Sequence, residues 1–178
     1  MRLSELESFL VRPARPDDAA AIGAVHVRAW QAAYRGVMPD EYLDALSTDE
    51  RAAMWRDRIA RDDLPPLLVA EAEGVVVGFA AFGGERPSPD HRGAGELGAI
   101  NLDPAHWGKG IGRSLLREVM SALASLGYRE AILWVVPQNL RARSLYEGEG
   151  WLADGAIATD EVLGVTVTEM RYRTELRG

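Results

Sequence analysis

Three glycines at alternate positions, Gly108, Gly110 and Gly112, mark the segment whose residue types point most directly to chemistry. They lie between a strand-like run and an amphipathic, helix-like run. A glycine inside a helix costs about 1 kcal/mol relative to alanine, so a purely structural helix start would seldom hold three. The first amides of a helix lack internal partners and lie at its positive end, where residues without side chains can surround a phosphate. The spacing therefore predicts a phosphate-binding loop, to which Lys109 and Arg113 would add charge-assisted contacts.

The same spacing excludes two common phosphate-binding loops. A nucleoside-triphosphate loop needs a lysine followed by Ser or Thr, but Gly110 follows Lys109, the only lysine of the chain. A dinucleotide loop needs its third glycine three residues after Gly112, where Leu115 stands. The remaining pattern, Gly-x-Gly-x-Gly, leaves the identity of the phosphate ligand open.

A local excess of positive charge surrounds this loop. The chain of 178 residues has a formal net charge of −7. The segment 104–146, in contrast, holds six cations and two anions, the cations being Lys109, Arg113, Arg117, Arg129, Arg141 and Arg143. A basic region in an acidic protein favours a small polyanionic ligand over a long one such as a nucleic acid. A solvated helix face would also explain a cluster of this size.

Two polar side chains downstream, Asn139 and Tyr146, stand seven residues apart. In a helix this spacing puts both on one face about 10 Å apart, which suits an extended ligand arm. Asn139 also suits the N-cap of such a helix, and Tyr146 could pack with only its hydroxyl at the rim of the core. Both interpretations stay open from the residues alone.

The elements that must position these groups alternate between strand-like and helix-like patterns, which predicts an α/β or α+β fold around one sheet. Helices are expected over 16–34, roughly 40–60, 111–127 and 139–147. Strands are expected over 9–13, 67–72, 75–82, 96–102 and 131–136, followed by two more that end near Thr174. Glu73-Gly74 predicts a hairpin turn, and the segment 83–95 predicts an exposed loop.

Length and composition narrow the function classes. A chain of this length suits one domain, residues 1–178. It has no cysteine, which excludes disulfides, thiolate metal ligands and a cysteine nucleophile, and its three scattered histidines predict no metal site. The longest apolar runs are far shorter than the roughly 18 residues of a membrane-spanning helix, and the first ten residues lack the order of a secretion signal. We therefore expect a cytoplasmic protein with no membrane or nucleic-acid partner.

The glycine loop resembles motif A of the GCN5-related N-acetyltransferase (GNAT) family, which reads Arg/Gln-x-x-Gly-x-Gly/Ala. Trp107-Gly108-Lys109-Gly110-Ile111-Gly112 matches its glycines but has tryptophan at the first position. The segment 137–151 resembles motif B, in which an asparagine, an alanine, a tyrosine and a Gly-aromatic pair recur at the separations of Asn139, Ala142, Tyr146 and Gly150-Trp151. Trp30-x-x-Ala33-Tyr34-Arg35-Gly36 resembles the acceptor-side helix of several branches.

This resemblance implies an enzyme that moves an acetyl group from acetyl-CoA to a primary amine of a small molecule by direct attack in a ternary complex. Contacts with acetyl-CoA would come from Ile100, Asn101, Leu102, Gly108, Lys109, Gly110, Ile111, Gly112, Arg113, Asn139 and Arg143. The first three would bind the pantetheine and polarise the thioester carbonyl, and the loop would bind the pyrophosphate. Tyr146 would be the general acid that protonates the departing thiolate. A phenol has a pKa of about 10 and a thiol one of about 8.5, so the phenol is protonated at neutral pH and can donate.

The acceptor side depends on a base and on an aromatic stripe. An amine of pKa about 10.4 is mostly protonated at pH 7, so a group must take its proton. Glu96, which opens the strand before the glycine loop, is the candidate base, and the alternative is an exposed strand-end acid. His26, Trp30 and Tyr34 recur at helical spacing and would bind the acceptor, although such a stripe also suits a core.

The resemblance also implies a fold: a mixed, mostly antiparallel sheet of about seven strands flanked by about four helices, with the two middle strands splayed to admit the pantetheine. Two other functions stay open. One is acetyl transfer to a protein or peptide amine; the other is a non-catalytic acyl-CoA-binding module, against which Tyr146 argues. A homodimer is expected by analogy alone.

Overall fold

The computed structural model describes residues 8–86 and 93–177, which form seven strands and five helices. The strands are β1 (Phe9–Pro13), β2 (Leu68–Ala72), β3 (Val75–Gly84), β4 (Gly95–Leu102), β5 (Glu130–Val135), β6 (Leu152–Val162) and β7 (Val165–Glu175). The helices are α1 (Ala19–Ala33), α2 (Asp40–Asp44), α3 (Thr48–Ile59), α4 (Ile111–Ser125) and α5 (Leu140–Gly148). None of the helices in these two ranges has the length and apolarity needed to cross a bilayer.

All seven strands belong to one sheet in the order β1-β2-β3-β4-β5-β7-β6. Neighbouring strands run antiparallel except the central pair, β4 and β5, which run parallel. A parallel pair needs a crossover between its strands, and α4 supplies it. The mixed, mostly antiparallel sheet predicted from the sequence is confirmed.

The central pair is joined over only a short distance. Residues Gly95–Leu97 pair with Ala131–Leu133, and beyond them β4 continues to Leu102 along β3 alone. The register between β3 and β4 shifts at Gly98: Ala81 pairs with Ala99 and Phe82 with Leu97, so Gly98 is the extra residue of a β-bulge. The outer half of β4 therefore has one backbone edge that β5 does not cover, and a gap opens between the two strands.

Two apolar clusters cover the two faces of the sheet. On one face, the α4 side, Leu115, Leu116, Val119 and Leu123 of α4 pack with Tyr146 of α5 and with residues of β4, β5 and β7. Leu126, which directly follows α4, is exposed. On the other face, the α1 side, Ile22, Val25 and Trp55 of α1 and α3 pack against Phe79 of β3. Each fully buried large side chain contributes about 1.5–3 kcal/mol, so both layers hold the sheet firmly.

The predicted element boundaries are wrong in two places. The expected helix over 40–60 is divided into α2 and α3, because the Ser47 hydroxyl accepts a hydrogen bond from the Glu50 amide at 3.2 Å and starts a new helix. Gly83 and Gly84 belong to β3 rather than to a loop, since they pair with Glu96 and Gly95. Residues 87–92 of the expected loop lie outside the described residues.

Candidate active site

The glycine loop leads directly into α4. Gly108 and Gly110 have φ angles of 78° and 83°, in the left-handed region that favours glycine, and Gly110 is the N-cap of the helix. A Cβ at either position would meet no other atom within 4 Å, so the loop borders open space. Conformation, besides close approach to a ligand, thus explains two of the three glycines.

The start of α4 presents backbone donors to this space. The Ser114 amide donates to the Gly110 carbonyl at 3.1 Å and closes the first helical turn. The amides of Ile111, Gly112 and Arg113 precede that bond and therefore have no partner within the helix. A Cβ at Gly112 would lie 3.5 Å from the Leu145 side chain, an ordinary contact, so packing alone does not require glycine there.

Trp107 connects the loop to the end of β4. Its indole N–H donates to the Leu102 carbonyl at 3.0 Å. The guanidinium carbon of Arg141, from the first turn of α5, lies 4.4 Å from the centre of the Trp107 ring. The Leu102 carbonyl is therefore already engaged. Hydrogen-bonded pairs alternate along β3 and β4, and since the Asp103 amide donates to the Val77 carbonyl, the backbone of Asn101 is directed at Phe79 of β3. Ile100 is the predicted pantetheine contact whose backbone faces the gap.

Two of the cations predicted to bind acetyl-CoA are held by the protein itself. Arg113 Nε lies 3.0 Å from a carboxylate oxygen of Glu149, which Arg117 also contacts at 2.6 Å. Arg143 donates from Nε to the Tyr172 hydroxyl at 3.0 Å and from Nη1 to the Pro137 carbonyl at 2.9 Å. Arg143 thus fastens α5 to β7, because its guanidinium is turned toward the sheet rather than toward the loop.

Asn139, Tyr146 and Tyr34 come together at the gap between β4 and β5. Asn139 caps α5, with its side-chain oxygen accepting from the Ala142 amide at 3.2 Å. Burial raises the pKa of Tyr34, and a hydrogen bond with Asn139 opposes that rise. Burial also raises the pKa of Tyr146 well above its usual value, with a smaller contribution from the nearby Tyr34. Tyr146 therefore keeps its proton at neutral pH.

The predicted aromatic stripe of α1 extends from the core to this gap. The His26 and Trp30 rings lie 5.2 Å apart, and the Trp30 and Tyr34 rings lie 5.1 Å apart. Trp30 and Tyr34 are partly exposed, but His26 is buried and its Nδ1 accepts from the Trp55 indole at 2.9 Å. Burial lowers the pKa of His26 to about 4, so its imidazole is neutral. His26 is therefore the buried end of the stripe and lies in the core.

Glu96 is buried rather than an exposed strand-end acid. Its Oε2 accepts from the Arg86 backbone amide at 2.9 Å, and its Oε1 accepts from Arg86 Nε at 2.9 Å and lies 2.8 Å from Nη2. Both oxygens of the predicted base are therefore already engaged with Arg86.

A second carboxylate, Glu169, lies near Glu96 and Tyr34, and the sequence did not predict it as a site residue. It stands on β7 directly before Met170, whose pairing with Val135 is the last between β5 and β7. Burial raises the pKa of Glu169; Arg86 opposes the rise, and Asp160 and Glu96 add to it. Its charge in turn raises the pKa of Tyr34. Only the pairing of β7 brings Glu169 here, and its one sequence signal is an acid in an otherwise alternating strand.

A groove of about 930 Å³ lies elsewhere, beside the end of α4 and the last residues of β7. Several of its charged groups pair with one another: Arg117 with Glu149, and Arg173 with Glu130. Among the described residues, no group of three or more His, Asp or Glu side chains could hold a metal ion. The unsatisfied helix amides, the open strand edge and the buried tyrosine make the gap between β4 and β5 the candidate site.

Comparison with known proteins gives consistent matches. The model of the acetyltransferase (GNAT) family matches residues 26–151. The uncharacterized N-acetyltransferase YuaI of Bacillus subtilis is 36% identical over 130 residues, 72% of each chain. The L-amino acid N-acyltransferase MnaT of Escherichia coli is 31% identical over 144 residues, 80% of this chain and 78% of MnaT. The structure of yncA from Salmonella typhimurium with its cofactor acetyl-CoA superposes with a TM-score of 0.73 at 26% identity, covering 96% of this chain and 95% of yncA.

Proposed function

The chain belongs to the acetyltransferase (GNAT) family, and we propose that this N-acetyltransferase moves an acetyl group from acetyl-CoA to the primary amine of a small molecule. One observation carries the proposal: the unsatisfied amides of 111–113, the uncovered edge of β4 and the protonated Tyr146 adjoin the same gap in the sheet. A pure acyl-CoA binder would not need a proton donor there.

The residues of the gap fit acetyl-CoA, which supplies an acetyl group activated as a thioester. The open space around Gly108 and Gly110 leaves room for a pyrophosphate against the amides of 111–113. The backbone of Ile100, on the edge that β5 leaves uncovered, would bind the pantetheine and polarise the thioester carbonyl. Asn139 and the exposed Lys109 would add polar contacts at either end of the site.

Tyr146 would donate the proton that the departing thiolate needs. The amine nitrogen forms a bond to the acetyl carbon while the carbon–sulfur bond breaks, so the thiolate gains an electron pair and takes up one proton. Because the pKa of Tyr146 is raised, its phenol stays protonated until that thiolate forms. Such a donor contributes typically a factor of about 10²–10⁴ to the rate.

A carboxylate would receive the proton that the amine loses. Glu96 is the base that the family resemblance suggests, but Arg86 engages both of its oxygens. Glu169 is the second candidate, and its environment favours it: the half-buried carboxylate has a raised pKa and lies near Tyr34. A base with a raised pKa matches a proton transfer near neutral pH better than an ordinary carboxylate does.

The acceptor side favours a small amine over a protein. Trp30 and Tyr34 would line this side, and the loop 36–40, which lies beside Val165 at the start of β7, would narrow the entrance. The relative MnaT is named an L-amino acid N-acyltransferase, which makes amino acids and their analogues the first acceptors to try.

A thiol-release assay tests the proposal. The chain has no cysteine, so a thiol reagent detects only the coenzyme A released on transfer. We expect release from acetyl-CoA with at least one member of a panel of L-amino acids and small primary amines. Release with unstructured peptides alone would favour the protein-acceptor alternative. Binding of acetyl-CoA without release by any acceptor would favour a non-catalytic module.

A further inference from the structure

We propose that Arg141 binds a phosphate group of coenzyme A and that Trp107 holds its guanidinium in position. The inference deepens the proposed function and rests on it, because it requires coenzyme A to lie against the glycine loop. It assigns a phosphate contact to α5, in addition to the helix amides of α4.

The first argument is that the Trp107 ring, the platform on which Arg141 stacks, is held in place. Trp107 directly precedes Gly108, and its indole is tied to the Leu102 carbonyl at 3.0 Å, so the ring cannot rotate freely. The Arg141 guanidinium lies 4.4 Å from the ring centre. A stacked guanidinium keeps the N–H groups along its edges available, and this planar fork matches phosphate oxygens. Stacking on Trp107 thus holds the Arg141 guanidinium at the border of the glycine loop.

The second argument is the engagement of the neighbouring arginines. Glu149 engages Arg113 and Arg117, and Tyr172 and Pro137 engage Arg143. No hydrogen bond or ion pair joins Arg141 to any residue of the described ranges, and its side chain is exposed. Of these four arginines, Arg141 alone combines proximity to the loop with donors that no described residue uses.

Calorimetric titration of coenzyme A at fixed pH and ionic strength tests the proposal on two matched variants. Arg141→Gln should raise the Kd roughly 10- to 100-fold, the range expected for losing charge-assisted hydrogen bonds. Arg129→Gln removes the same charge beyond the far end of α4, about 22 Å of helix from the loop, and should change the Kd less than 2-fold. Both arginines are exposed, so both variants should keep the wild-type circular dichroism spectrum.

Two shortened ligands identify the phosphate. With pantetheine, which has no phosphate, wild type and Arg141→Gln should bind alike. If the loss disappears with dephospho-coenzyme A, Arg141 binds the 3′-phosphate; if it persists, Arg141 binds the pyrophosphate. Equal Kd values for Arg141→Gln and Arg129→Gln with coenzyme A would overturn the proposal, as would an equal loss with pantetheine.

Two further variants examine the platform. Trp107→Phe keeps an aromatic ring and should weaken coenzyme A binding less than Trp107→Leu, which removes it. Equal Kd values for these two variants would overturn the role of Trp107. If the wild-type protein binds no coenzyme A at all, the proposed function itself fails, an outcome distinct from binding that ignores Arg141.

Discussion

Tyr34, which directly follows α1, lies near Tyr146 of α5, although these two helices pack on opposite faces of the sheet. Burial raises the pKa of Tyr146, and Tyr34 adds to the rise. They can meet because β4 and β5 separate after Leu97 and Leu133. The gap thus brings an acceptor-side phenol and a cofactor-side phenol together. Of the two, only Tyr146 is fully surrounded by the core, next to Trp151 and Tyr172.

Replacing Tyr146 by phenylalanine should lower kcat about 10²- to 10⁴-fold, because the departing thiolate loses its proton donor. The ring would keep its packing, so the Kd for acetyl-CoA should change less than 3-fold. Steady-state kinetics and calorimetry measure the two quantities. Tyr128→Phe, a tyrosine beyond the far end of α4, is the control and should keep kcat. An unchanged kcat in Tyr146→Phe would remove this residue from the mechanism.

The pH dependence of kcat/KM should show whether Glu169 or Glu96 is the base. A base acts only when ionised, and the pKa of Glu169 is raised, so kcat/KM should fall on the acid side of a point above the usual glutamate value of about 4.3. Glu169→Gln should abolish this limb and lower kcat/KM at pH 7. Glu96→Gln should keep the limb but lose about 1–2 kcal/mol of stability with its contacts to Arg86. The opposite pattern would make Glu96 the base.

Gly112→Ala should weaken the binding of coenzyme A without lowering the stability of the fold. Alanine is a better helix former by about 1 kcal/mol, and its Cβ makes only an ordinary contact with Leu145, so thermal stability should not fall. The Cβ would nevertheless stand among the amides of 111–113, and the Kd for coenzyme A should rise about 10-fold or more. Gly148→Ala, in the last turn of α5 with nothing near its Cβ, should leave the Kd unchanged. Equal affinities for both variants would argue against a phosphate at this helix start.

His26 should make stability depend on pH. Its pKa is about 4 in the folded protein and about 6.5 in an unfolded chain, so below pH 6.5 the unfolded state binds more protons. The free energy of unfolding should therefore fall as the pH drops, by about 1.6 kcal/mol between pH 6.5 and 5. Urea denaturation at several pH values measures this. His26→Gln, which keeps an acceptor for the Trp55 indole, should reduce the dependence; an unaltered slope would assign it to other groups.

Periodicity and turn residues were enough to predict most of the fold. The amphipathic helix α4 and the hairpin at Glu73-Gly74 follow from local patterns, and the arrangement of the sheet follows from the family resemblance. The division of the 40–60 helix depends on one serine hydroxyl that competes with continued helix, which a periodic pattern does not reveal.

The site was harder to predict because its side chains depend on packing. Arg141 and Arg143 stand two residues apart, about 200° around a helix, so they point in nearly opposite directions. Sequence alone does not say which of them faces the loop. The packing of α5 on β7 decides it, turning Arg143 to Tyr172 and leaving Arg141 over Trp107. Glu169 likewise reaches the gap only through the register of the last strand.

The bulge in β4 has a consequence for how this chain tolerates change. Leu97 and Ile100 lie three residues apart yet both pack on the α4 side, whereas Ala99 between them packs on the α1 side. Gly98 reverses the in-and-out alternation midway along the strand. Were Gly98 to pair as an ordinary strand residue, the rest of β4 would turn inside out just ahead of the glycine loop, whereas deleting Gly98 would leave Ala99 and Ile100 on their present faces.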